Sequence, residues 1–116
     1  PGYADIMIPQ IYYGFENSAA PYQSTLDEWD ALAKQGGIPL IAGLSVSKVG
    51  CEDTWAGSGK YEWVNNSDII SRQAAAAKKC SSYGGIALYS YRSVFQPESS
   101  VSKQVKKEIT ALRDIL

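Results

Sequence analysis

Histidine is absent from the 116 residues, and cysteine (two), phenylalanine (two) and methionine (one) are scarce. Without histidine the chain lacks the commonest metal ligand and the usual general base. A Ser-His-Asp or Cys-His site within it is impossible, and two cysteines alone make a zinc site improbable. Any acid–base chemistry must rest on Asp, Glu, Tyr, Lys or Cys. An excess of charge is also missing: 11 Lys+Arg stand against 12 Asp+Glu, for a formal charge of −1. That balance argues against nucleic-acid binding, where a basic surface supplies the affinity. No apolar run reaches the length of a membrane span, and no signal-peptide pattern opens the chain. The sequence begins at Pro1-Gly2-Tyr3 and enters an apolar run almost at once, which reads as a cut made by processing or proteolysis. Hydrophobic content of 45 % excludes disorder. The length suits one domain but not a complete eight-fold α/β barrel, which needs about 250 residues.

What is present is an alternation of strand-like and helix-like segments. The run from Tyr3 to Gly14 is rich in Ile and Tyr and nearly continuous, as in a strand covered on both faces. Pro9 interrupts it and predicts a bulge or strand end near Gln10. After a loop over Phe15 to Ser24, Thr25 and Glu28 fit a capping box. Leu26, Trp29, Leu32 and Ala33 then recur at helical spacing, and Gly36-Gly37 supplies the stop. Ile38 to Val46 reads as a second strand, with a small-residue pinch at Gly43. A long polar stretch from Ser47 to Ser67 follows, too aromatic for disorder and long enough to suggest function. A helix is expected from about Asp68 to Ser82, capped by Asn66, Ser67 or Asp68. Gly84-Gly85 precedes a third strand, Ile86 to Arg92, and a loop covers Ser93 to Ser99. The last helix starts near Ser100, its apolar stripe of Val101, Val105, Ile109 and Leu112 broken only by Glu108. Lys103, Lys106 and Lys107 fall on its solvated face.

Three consecutive β-α units of this kind predict an α/β fold, residues 1–116 as a single partial domain, with a parallel sheet and right-handed crossovers. Parallel strands end on one edge, where α/β folds bind ligands. That edge would gather Tyr12 to Asn17, Ser45 to Trp55 and Tyr89 to Phe95. It holds the carboxylates Glu16, Glu52 and Asp53, with Glu62 near, and the aromatics Tyr12, Tyr13, Trp55, Trp63, Tyr89 and Tyr91. Paired carboxylates cleave glycosidic bonds, and aromatic rings stack on the apolar faces of sugars. The mixture points to a carbohydrate ligand; the bland alternative is tyrosines filling barrel layers and solvated loop acids. Arg92 either pairs with a carboxylate such as Glu52 or binds an anionic substrate group. Gln10 either faces the ligand or stabilises a bulge. Gly57-Ser58-Gly59-Lys60 lacks the spacing of a phosphate loop, and Asn65-Asn66-Ser67 matches a glycosylation sequon too short to carry weight. Cys51, just after the second strand, and Cys80, near the end of the following helix, should lie at opposite edges of the sheet, too far apart for a disulfide.

Longer motifs carry a family resemblance. Asp5-Ile6-Met7-Ile8-Pro9-Gln10-Ile11-Tyr12 resembles the D-x-I-x-P-Q-x-Y strand of glycoside-hydrolase-like family 10 proteins, bacterial enzymes with a (β/α)8 barrel. Lys48 to Gly59 resembles their K-x-G-x-E-D-x-[FW]-A-G-S-G loop, and Gly84 to Tyr91 resembles their final barrel strand. Glu62-Trp63 and Asp68 to Gln73 also match. The resemblance implies that the chain is the C-terminal part of the barrel, strands six to eight with their helices. It implies an exported parent, extracellular or in the cell envelope, that hydrolyses polysaccharide or peptidoglycan-like glycans without a cofactor. Gln10, Tyr12, Glu52 and Asp53 carry over as motif matches. The expected site is then Glu52 and Asp53 as catalytic groups, with Gln10, Tyr12, Glu16, Trp55, Tyr91 and Arg92 binding substrate and no metal. Alternatives are a non-catalytic carbohydrate-binding or structural domain, and a small doubly wound domain of another class. A three-stranded piece would expose sheet edges and an inner face, so self-association is expected.

Overall fold

A computed structural model describes residues 4–116; Tyr3, the expected start of the first strand, lies outside them. The fold is mixed α/β with a small two-stranded parallel sheet. Strand β1, Leu40–Ser45, pairs with β2, Tyr83–Tyr89. Helix α1 spans Tyr22–Gly36, α2 Glu62–Asn65, α3 Ile69–Lys78, α4 Tyr91–Phe95 and α5 Ser102–Ile115.

The first apolar run does not form a full strand, yet it lies alongside β1. Met7 pairs with Leu40 and Gln10 with Gly43, both in parallel. The ladder runs through Met7 N to Pro39 O, Ile41 N to Met7 O, Gly43 N to Pro9 O and Ile11 N to Gly43 O, all between 2.8 and 3.0 Å. The step from 7 to 10 matches the step from 40 to 43, so no bulge forms at Pro9. Pro9 instead removes the one N–H that would have continued the ladder. The bulge lies on the other side, where Leu40 faces Tyr83 but Ile41 faces Gly85. Gly43 is required at the centre: a Cβ there would stand 2.7 Å from the Pro9 carbonyl oxygen.

One sheet face is covered by α1 and α3. Ile11, Leu40, Ala42 and Leu44 meet Tyr22, Leu26, Ile69, Ile70 and Ala74 in the core. Burying each of the larger aliphatic side chains contributes about 1.5–3 kcal/mol. Alternation puts Ile8, Gln10 and Tyr12 on the opposite face with Tyr89; Ile8 and Tyr89 are exposed there.

Helix α1 begins three residues before the expected capping box. Asn17 accepts from the Ala19 and Ala20 N–H groups, and Tyr22 N donates to Gly14 O. These bonds deliver the chain to Pro21, the N-cap of α1, at φ −58° and ψ 142°. Thr25 therefore lies inside the helix, its hydroxyl donating to Pro21 O, and Leu32 faces solvent. Gly37 ends α1 at φ 64°, as expected from the double glycine. The third strand runs earlier than expected, taking in Gly84-Gly85, and the loop after it holds α4.

Helix α3 is capped from another helix. None of Asn66, Ser67 or Asp68 caps it through its side chain; Asp68 pairs with Arg72 at 3.3 Å. Glu108 of α5 is fully buried and accepts from the Ile69 and Ile70 N–H groups at 3.1 and 2.9 Å. The residue that breaks the α5 stripe thus satisfies two orphan donors of α3 and meets the positive end of its dipole. Burial raises Glu108 from 4.5 to about 6, against the downward pull of those two N–H groups. The folded chain then holds this proton more tightly than the unfolded one. Its contribution to stability is complete below about pH 4.5 and is lost as the pH rises to about 6. Glu108→Gln should lack that component, so the stability difference between wild type and variant should itself change between about pH 4.5 and 6 in denaturation curves. Glu108→Ala should lower stability by about 2–4 kcal/mol through two lost buried bonds; a loss below about 0.5 kcal/mol would contradict the capping role.

Candidate functional site

The segments that leave the sheet at its C-terminal end are tied together by three side chains. Lys48, in a 3₁₀ turn over Val46–Lys48, donates to the Tyr12 carbonyl and pairs with Asp53 at 3.0 Å. Its ammonium also lies 5.8 Å from the Tyr13 ring centre. One cation thereby joins the end of the first extended segment to the loop after β1. Glu62, buried at the start of α2, accepts from Phe15 N and Glu16 N at 3.0 and 2.9 Å. Desolvation pushes Glu62 above the ordinary carboxylate range, more than the two N–H groups and Arg72 lower it. Gly14 makes this approach possible, because a Cβ on it would sit 2.0 Å from Glu62 Oε1. Ser18 adds two bonds to the Ala56 carbonyl, and Asp53 N donates to Lys60 O. The long polar stretch is therefore fixed by bonds to its neighbours.

Tyr12 and Tyr89 meet with ring centres 5.7 Å apart and planes tilted by 32°. Burial first, and the Tyr89 phenol second, raise the Tyr12 hydroxyl above its ordinary 10.0. The Ser45 and Ser47 hydroxyls, at the end of β1, are 2.8 Å apart. Gln10 is exposed on the same sheet face. Trp55 is 90 % exposed, and Tyr91 is 73 % exposed while stacked on Phe95 at 4.8 Å. Glu16 is exposed, its backbone N–H held by Glu62.

The two expected catalytic acids are adjacent in sequence but differently held. The Asp53 side chain is only 9 % exposed and is paired with Lys48. Glu52 is exposed and lies 3.7 Å from Lys60. The Arg92–Glu52 pair does not form. Arg92 makes no ion pair among the described residues and lines a cleft of about 450 Å³ with Ser47, Cys51, Gln96 and Glu98. That cleft lies between the segments following β1 and β2. Glu62 and Trp63 belong to the interior rather than the edge. Cys51 and Cys80 are both free thiols. Among the described residues no group of three or more Cys, Asp or Glu could hold a metal ion, and no helix is long and apolar enough to cross a membrane.

Sequence reasoning passed over Lys48, although it stands five residues before Asp53 at the head of the loop motif. Lys48→Met would strand a nearly buried carboxylate and should cost about 2 kcal/mol in urea denaturation. Adding Asp53→Leu should recover at least half of that loss. Additive losses would show that the two side chains are not coupled.

Comparison with protein-family models, with curated proteins and with solved structures finds no match to this chain.

Proposed function

We propose that the chain forms one wall of the sugar cleft of a glycoside hydrolase, as the closing part of a (β/α)8 barrel acting on polysaccharide or peptidoglycan-like glycans. The observation that carries this reading is the sheet edge. Two solvent-facing aromatics, Trp55 and Tyr91, stand respectively two residues after Asp53 of the Lys48–Asp53 ion pair and two after Tyr89 of the Tyr12–Tyr89 pair. Rings offer flat apolar faces to sugar C–H groups, while carboxylates and amides bind hydroxyls. A phosphate would call for convergent cations, and an apolar ligand would not need the acids. The family resemblance of the Lys48–Gly59 loop supports the same substrate class and a parent outside the cell or in its envelope.

Within this reading Glu52 is the better proton carrier, because its partner Lys60 is distant and both are solvated. Asp53, held by Lys48, suits the orienting of a sugar hydroxyl. Gln10, Glu16 and Arg92 extend the polar rim. The unpaired side of β2 and the exposed Ile8 and Leu88 would be covered in a whole barrel; in the isolated chain they favour a second copy. The specific observation favouring the alternative, a binding module without turnover, is that both acids already have lysine partners.

Isothermal titration of the chain with chitotetraose, cellotetraose and peptidoglycan fragments tests the ligand class. Binding should weaken about three- to tenfold in Trp55→Ala and in Tyr91→Ala, the range of one aromatic stacking contact. No heat with any of these glycans would overturn the proposal. In the whole enzyme, Glu52→Gln should reduce turnover by at least about a hundredfold, as for loss of a general acid or base. Unchanged turnover in both Glu52→Gln and Asp53→Asn would leave only the binding role.

A further inference from the structure

A groove of about 560 Å³ runs between α4 and α5, separate from the aromatic rim of Trp55 and Tyr12. Val94, Phe95 and Ile109 form its apolar wall, and Phe95 is 68 % exposed. Lys103, Lys106 and Arg113 line it as well, at helical spacings of three and seven that bring them onto one face of α5. No Asp or Glu lines the groove. None of the three cations forms an ion pair among the described residues. In a chain of net charge −1, this concentration of one sign beside exposed apolar surface is an asymmetry the sheet and core do not require.

From this geometry we infer that the α4–α5 groove docks an acidic amphipathic helix of a partner protein. Charge complementarity sets the sign of the partner. Three unpaired cations and no acid favour a segment bordered by Asp or Glu, and long-range attraction would speed its arrival. The apolar wall sets its form. A helix laid between two helices presents anchors at i, i+3, i+4 and i+7, and an exposed phenylalanine packed on Tyr91 is an aromatic anchor of the type on which interfaces concentrate binding energy. A free polyanion would gain nothing from Phe95, Val94 and Ile109. A flat anionic membrane would meet the lysines and Phe95 but leave the half-buried Val94 and Ile109 unfilled. The inference does not rest on the carbohydrate reading, although Tyr91, a rim residue there, packs on Phe95 here.

The test uses the whole chain and a fluorescent helical peptide carrying a leucine stripe bordered by glutamates, with a lysine-bordered control. Anisotropy should show saturable binding of the acidic peptide only, weakening as salt is raised. Lys106→Glu and Phe95→Ser, both at exposed positions, should each weaken binding about tenfold or more. Lys107→Glu makes the same charge change outside the groove and should shift affinity by less than about threefold. Equal losses from Lys106→Glu and Lys107→Glu would reduce the effect to general charge and overturn the inference. So would equal binding of the lysine-bordered peptide, absence of binding, or binding to phosphatidylglycerol vesicles without binding to the peptide. Circular dichroism of each variant separates loss of docking from loss of fold. If a variant unfolds, salt dependence and the lysine-bordered control in the wild-type chain still decide the outcome.

Discussion

The buried carboxylate of Glu62 is the interaction on which the candidate site depends. Backbone N–H groups at Phe15 and Glu16 point inward just after the first extended segment, and an unsatisfied buried donor costs about 1–3 kcal/mol. Glu62 answers both with its two oxygens from 46 and 47 residues away. That contact draws the start of α2 against Gly14, where only a residue without a side chain leaves room. Once α2 is fixed, Gly50 N meets the Trp63 carbonyl and Gln104 of α5 donates to the carbonyls of Trp63 and Asn66. The loop that presents Glu52, Asp53 and Trp55 is shaped by these bonds.

Glu108 repeats the device at the other end of the long crossover. Each acid is fully or almost fully buried, each takes two successive backbone N–H groups, and each is raised by desolvation despite those donors. Two acids in one small domain are thus committed to joining segments distant in sequence. This narrows the chemistry. Of the four carboxylates that the sequence offers to the sheet edge, Glu62 is structural, Asp53 is largely occupied by Lys48, and Glu16 and Glu52 remain open to solvent.

Much of the element order was legible because apolar periodicity and glycine stops report local geometry directly. The Gly36-Gly37 stop, the close approach at Gly43 and the solvated lysines of α5 follow from residue type alone. The details that failed depended on partners far away in sequence. Thr25 and Glu28 satisfy a capping box, yet Asn17 and Gly14 start α1 at Tyr22 by claiming donors upstream. Asp68 looks like a cap for α3, yet the cap is Glu108, forty residues on. A glutamate within an apolar stripe reads as an interruption until the helix end it meets is known. At the site, the aromatic and acidic residue types were legible and their pairing was not. Arg92 was one candidate partner for Glu52, but Lys60 is the residue beside it, and the role of Lys48 depends on Tyr12 and Asp53, which share it across the fold.

A net charge near zero conceals where the charges lie. Glu16, Glu52 and Asp53 lie near the sheet edge, while Lys103, Lys106 and Arg113 stand together along α5. Helix α4 connects the two regions. Arg92 and Ser93 face the cleft after β1, Val94 and Phe95 face the α5 groove, and the five-residue helix buries none of its own side chains fully. Its half-buried Val94 packs against the core, and the Ser90 cap and the Tyr91–Phe95 contact are internal to it. Segments with so little buried surface are the first to open locally. Phe95 on the groove side and Arg92 and Ser93 on the cleft side are carried by one short helix. The cleft and the groove therefore share α4 as a common wall.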